Sequence, residues 1–132
     1  MINAKKYRWF LTSSGKLVIG GKNAEQNEEL MNSVDKRALV AHTAAPGSPF
    51  CIVESDSKKA TQEDTHETAL FCAKYSQVWK KAKVRKDVEV HFFLGKDVFK
   101  DKSMKTGTFG VKKVKKVIAK ARDIENFKER KE

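Results

Sequence analysis

The chain has 132 residues, 39% apolar and 34% charged, with a formal net charge of +11. That length and balance describe one globular domain with enough chain for a core and exclude a disordered polyelectrolyte. No apolar run approaches the roughly 18 residues of a membrane span, and the first ten residues lack the h-region and cleavage site of a secretory leader. Cys51 and Cys72, 21 positions apart with no CxxC, form neither a disulfide framework nor a metal motif and fit a reducing cytoplasm.

In chain order, Tyr7 to Thr12 is aromatic and reads as a strand; Ser13 to Lys16 turns, and Leu17 to Ile19 pairs back as a hairpin. Gly20-Gly21 ends it. Asn23 with Gln26 three residues later has the capping-box spacing of a helix start, with Ala24, Leu30, Met31 and Val34 as the apolar face and Asn27 among them. Ala38 to His42 reads as a short buried strand, Thr43 to Pro49 as a loop carrying Pro46-Gly47, and Phe50 to Val53 as the next strand. Ser55 to Ala60 is expected to be a polar loop. Thr61 with Asp64 opens a helix expected to run to about Lys81 and to pack over the sheet. Val88 to Leu94 is apolar at both alternations, the pattern of a central strand covered on each face. Thr108 to Lys112 and Val114 to Ala119 are expected as strands, the glycines at 107 and 110 favouring a bend. Asp123 would cap a short helix from Ile124 to Lys131. These elements make a single α+β domain over 1–132, with its core at about 5–120, a mixed, mainly antiparallel β-sheet and at least two packing helices.

The charge is lopsided. Residues 1–66 hold nine Lys and Arg against eight Asp and Glu, whereas residues 67–132 hold nineteen against nine. Self-repulsion on that scale points to a polyanionic partner, nucleic acid before a membrane surface. Lys80, Lys81, Lys83, Arg85 and Lys86 put five cations into seven positions, more than a helix C-terminus needs. Lys105 and the pairs Lys112-Lys113 and Lys115-Lys116 follow. Lysine in place of arginine suits phosphate contact over base readout. Tyr7, Trp9, Trp79 and Phe109 are either stacking surfaces or core; Phe109, between two glycines, is the one expected to be exposed.

Nothing makes a positive case for catalysis. HExxH, GxSxG and the phosphate-loop pattern are absent, and neither cysteine has a histidine neighbour in the chain. No cofactor or metal is implied. His42 ends a strand beside the Pro46-Gly47-Ser48 turn, a position open to a functional or a structural role. Gly20-Gly21-Lys22 leads into a helix start, so it is either a phosphate seat or a plain turn. Asn27 places an amide on a buried face, where it must be hydrogen-bonded to a neighbouring segment or to a ligand.

Taken together, Tyr7-Arg-Trp-Phe-Leu-Thr-Ser-Ser-Gly15, Leu17-Val-Ile-Gly-Gly21, Asn23 to Glu28, Leu39-Val-Ala-His42, Ala45 to Phe50 and Thr106-Gly-Thr-Phe-Gly110 resemble the NFACT-R domain. This is the RNA-binding module at the C-terminus of fibronectin-binding-like ribosome quality-control proteins. The resemblance implies non-catalytic binding of RNA, tRNA or ribosomal RNA, in a translation setting, and it carries over Gly20, Gly21, Asn27, His42, Gly47 and Gly107. The family's larger proteins have further modules, so this chain is expected to be a standalone form without activities that need them, such as templateless tail synthesis. Two rival readings stay open: a small enzyme or nucleotide-binding domain centred on His42 and Asn27, and a basic adaptor for an acidic protein or lipid.

Overall fold

The computed structural model describes residues 4–131. The first aromatic run folds as expected: β1 (Arg8–Leu11) and β2 (Leu17–Gly20) form an antiparallel hairpin in which Arg8 faces Gly20 and Leu11 faces Leu17. Helix α1 (Ala24–Asn32) starts at Asn23, whose side chain accepts the Gln26 N–H. Gln26 reaches back one residue further than a capping box requires, accepting from Lys22 N–H at 2.9 Å. Strands β3 (Ala38–Thr43) and β4 (Cys51–Asp56) follow. The expected loop from Ser55 is instead the end of β4, followed by a single 3-10 turn at Ser57–Lys59 capped by Asp56.

The next helix has the capping box its sequence predicts: Thr61 Oγ1 accepts from Asp64 N–H, and the Asp64 carboxylate accepts from Thr61 N–H. It does not run to Lys81. Helix α2 (Gln62–Lys74) stops, and α3 (Gln77–Lys80) is a separate turn. The cause is Ser76, whose buried hydroxyl donates to Ala73 C=O at 2.7 Å and accepts from Trp79 N–H, a local alternative to the helical ladder.

Strand β5 (Val88–Leu94) is followed by a small hairpin of β6 (Val98–Phe99) and β7 (Gly110–Val111), then by β8 (Lys115–Ala119). The strand expected at Thr108–Lys112 is thus only two residues long and belongs to a second sheet, in which a Cβ on Gly110 would meet the Phe99 ring at 2.2 Å. The C-terminal helix also begins earlier than expected. Helix α4 is Ala121–Asn126, and its first N–H is capped by Asp87 from a distant loop at 2.8 Å, not by Asp123. Residues beyond it run back to β1, where Leu11 N–H donates to Arg130 C=O.

The main sheet has the order β1-β2-β4-β3-β5-β8, and every pairing in it is antiparallel, so the expected parallel component is missing. Alternation along the strands builds two cores. Phe10, Val18, Val53, Ala41, Val90 and Phe92 point to one face, where Phe71 and the small residues Ala69, Cys72 and Ala73 of α2 pack with Ile124 of α4. Ile19, Ile52, Val40 and Phe93 point to the other, under Leu30 and Met31 of α1, with Val98, Phe109 and Val111 of the small hairpin beside them. Each fully buried side chain the size of Phe71 contributes about 2–3 kcal/mol. On this second face β5 is covered only in part: Phe93 is buried, but Glu89 and His91 remain partly exposed.

Candidate functional site

The pairing register gathers the start of β1, the ends of β2 and β3 and the start of β4 at one end of the sheet, since Arg8 faces Gly20, Gly20 faces Cys51 and Cys51 faces Ala41. A cleft of about 760 Å³ opens there. One wall is the Gly21–Ala24 turn with Asn27. A second is the loop Pro46-Gly47-Ser48-Pro49, and a third is Thr106 to Phe109. His42, His91 and Phe93 come from the sheet, while Arg8, Tyr75, Gln77 and Lys80 close the far end.

Local chemistry shapes each wall. Asn27 donates from Nδ2 to Ser48 C=O at 3.4 Å and accepts at Oδ1 from Phe50 N–H at 3.1 Å, tying α1 to the loop. Gly21 is required beside it, because a Cβ there would lie 2.2 Å from Asn27 Oδ1. Ser48 accepts from Thr43 N–H and donates to Pro49 C=O, closing the loop on itself. Gly107, at φ +81°, lets the third wall touch α1: its N–H donates to Glu28 at 2.7 Å, and a Cβ would be 2.9 Å from Ala24 Cα.

His42 lies over Phe50 with ring centroids 4.4 Å apart, and its Nδ1 is 2.7 Å from Thr43 C=O. Burial holds its pKa below the ordinary histidine value, against the pull of the Thr43 carbonyl. His91 sits opposite it on β5, with Nε2 2.7 Å from Glu89. Phe109, expected to be exposed, is half-buried: Phe50 meets it edge-on at 5.6 Å and Lys100 Nζ sits 4.6 Å from its centroid. Trp79 is buried beneath Arg85, and Trp9 is half-buried beside Lys131, so neither offers a free stacking face.

Of the sequence-derived residues, Lys22, Lys80, Phe109, Gly21, Asn27, His42, Pro46, Gly47, Ser48 and Gly107 line the cleft. Gly20 lies beneath it against Phe71 and Cys51. Lys112 and Lys113 are exposed between Val111 and Val114, which both border the cleft. Lys116 faces His91 across the β5–β8 pair and shares its side of the sheet; Lys115 faces Phe92 and points to the other. Lys81, Lys83 and Arg85 are exposed beyond α3, and Lys105 sits on the third wall's loop. Among the described residues, the ion pairs engage Lys6, Lys16, Arg37, Lys74, Lys100 and His91, and none of the lysines singled out above.

Sequence reasoning missed Arg8 and Tyr75. The Arg8 guanidinium lies 4.3 Å from the Tyr75 ring centroid, and Lys80 Nζ is 5.7 Å from the same ring. The signal was present: Arg8 is two residues before Phe10, so strand alternation puts an arginine on a core face. Among the described residues, no three His, Cys, Asp or Glu side chains gather as metal ligands, and no helix is long and apolar enough to cross a membrane.

The sequence model of the NFACT protein RNA-binding domain matches residues 6–113. The chain belongs to this family. The fold of this NFACT RNA-binding domain is also that of a solved structure, the C-terminal part of the fibronectin/fibrinogen-binding protein from Streptococcus suis, with a TM-score of 0.77 and 21% identity. The match covers 92% of this chain and 49% of that one, so the domain spans about half of the solved chain. No curated protein matches the sequence.

Proposed function

We propose that this domain binds structured RNA, tRNA or ribosomal RNA, without catalysing a reaction on it, in a cytoplasmic translation or ribosome quality-control setting. Its family is an RNA-binding one. The observation that carries the reading further is the uncompensated charge: Lys22 and Lys80 at the cleft, with Lys112 and Lys113 beside it, enter no ion pair among the described residues, while Lys116 has Glu89 near it. Cations left free around a cleft at the sheet end suit phosphates, which neutralise them without a fixed geometry. Binding without chemistry is favoured because both free cysteines are buried and burial pushes the Cys51 thiol well up, away from the thiolate.

The test is fluorescence anisotropy with tRNA and with a ribosomal RNA fragment across a salt series. Log affinity should fall with log salt by about 0.7–0.9 per phosphate contacted. Replacing Lys112, Lys113, Lys115 and Lys116 with Gln should make the slope shallower by about two to four. An unchanged slope would remove these lysines from the interface, and absence of binding at low salt would remove the function.

A further inference from the structure

The cleft itself has a chemistry that the surface lysines do not share. Its lining contains Arg8, Lys22, Lys80 and two histidines, yet not one of the chain's 17 Asp and Glu residues among the described lining. Carboxylates stand behind three lining residues, Glu28 on Gly107, Glu89 on His91 and Glu129 on Tyr75, so attraction for an anion rests on Arg8, Lys22 and Lys80. The cleft's volume lies in the range of sites for small molecules, about 300–1,000 Å³. Double-stranded RNA, by contrast, is read across open surface over successive grooves, and bases enter protein pockets only when unpaired.

The two ends of the cleft differ. At one, Arg8 and Lys80 converge on the Tyr75 ring with no ion-pair partner, and Arg8 Nε is enclosed with no hydrogen-bond acceptor among the described residues. Nε is closed off from solvent, so a phosphate at this end would meet the terminal N–H groups of the half-buried Arg8 that borders the cleft. At the other, one face of His42 is covered by Phe50 while the ring borders the cleft, with His91 next to it and Phe109 on the facing loop. Aromatic and imidazole faces of this kind stack unpaired bases whatever their sequence.

We propose that the cleft accepts one unpaired nucleotide of the bound RNA, its phosphate at the Arg8–Lys80 end and its base against His42. This rests on the RNA-binding reading and adds to it a requirement for single-stranded character. The surface lysines then hold the surrounding backbone, and the cleft decides which part of the RNA is held.

The experiment compares an unstructured RNA hexamer with a blunt duplex of the same length, each displacing labelled tRNA from the intact protein at fixed salt. The hexamer should compete and the duplex should be at least about tenfold weaker, the order of one lost stacking contact. Arg8→Gln should weaken the hexamer and reduce its salt slope by about one, whereas His42→Gln should weaken it with the slope unchanged. Wild-type protein provides a readout that needs no variant: NMR signals of the His42 and His91 rings should move on adding the hexamer, while His66, exposed on α2, stays still. If tRNA binds but the duplex competes as well as the hexamer, or the His42 signal is unmoved at saturation, the cleft proposal is overturned and RNA binding stands. If neither tRNA nor hexamer binds at low salt, both fall together.

Discussion

Asn27 shows how a polar side chain can be both buried and indispensable. Its amide spends both ends on backbone, Ser48 C=O and Phe50 N–H, and its oxygen fills the space where any side chain on Gly21 would stand. The residue therefore sets the distance between two walls of the cleft. Replacing it by Ala leaves two buried backbone groups unpaired and should cost about 2–3 kcal/mol in urea denaturation. A loss under about 0.5 kcal/mol would mean that the loop at 46–49 is held by Ser48 alone.

At the scale of elements, what was legible in the sequence was what is locally determined. The first hairpin, β3, β5 and the α2 start follow from alternation, turn residues and a capping box, each of which acts within a few residues. Elements decided by distant partners were not legible. The α4 start depends on Asp87, 34 positions from Ala121, and β6–β7 exists because Phe99 packs over Gly110. The site divides the same way: the Gly20-Gly21 and Pro46-Gly47 segments carry turn chemistry and His42 lies in a locally legible strand, whereas Arg8 meets Tyr75 only after β1 is paired and α2 is docked. Asp64 joins both kinds of determinant. It completes the α2 capping box and also accepts from Ser14 and pairs with Lys16 at 2.9 Å, pinning the helix to the hairpin. Burial alone would raise its pKa, but the hydrogen bonds from Thr61, Ser14 and Lys16 outweigh it and hold the carboxyl far below the usual range. The folded state thus binds fewer protons than the unfolded one, and the stability this gives is complete above an ordinary Asp pKa of about 3.9 and fades as pH falls below it. In thermal unfolding, Asp64→Asn should be less stable than wild type at pH 7 by about 2–4 kcal/mol. The two curves should converge towards pH 2; a constant gap would assign the loss to packing.

For the molecule as a whole, the second half of the chain holds about twice as many cations as carboxylates, nineteen against nine, and the excess brings self-repulsion. Lys112, Lys113 and Lys116 stand within a few residues of one another on an exposed turn and an edge strand, where they also discourage another strand from pairing with β8. Repulsion between exposed charges is screened over about 10 Å at 0.1 M salt and about 3 Å at 1 M. Salt should therefore raise the melting temperature of the free protein. The Lys112/113/115/116→Gln variant should melt about 2–6 °C above wild type at low salt and approach it near 1 M. The same variant should bind RNA more weakly, so stability and affinity move in opposite directions. Lysines serving the fold, by covering apolar surface with their stems, would give the reverse result, a lower melting temperature at every salt concentration. Adding tRNA should raise the wild-type melting temperature more than the variant's, because the ligand that binds the folded state neutralises the charges that strain it.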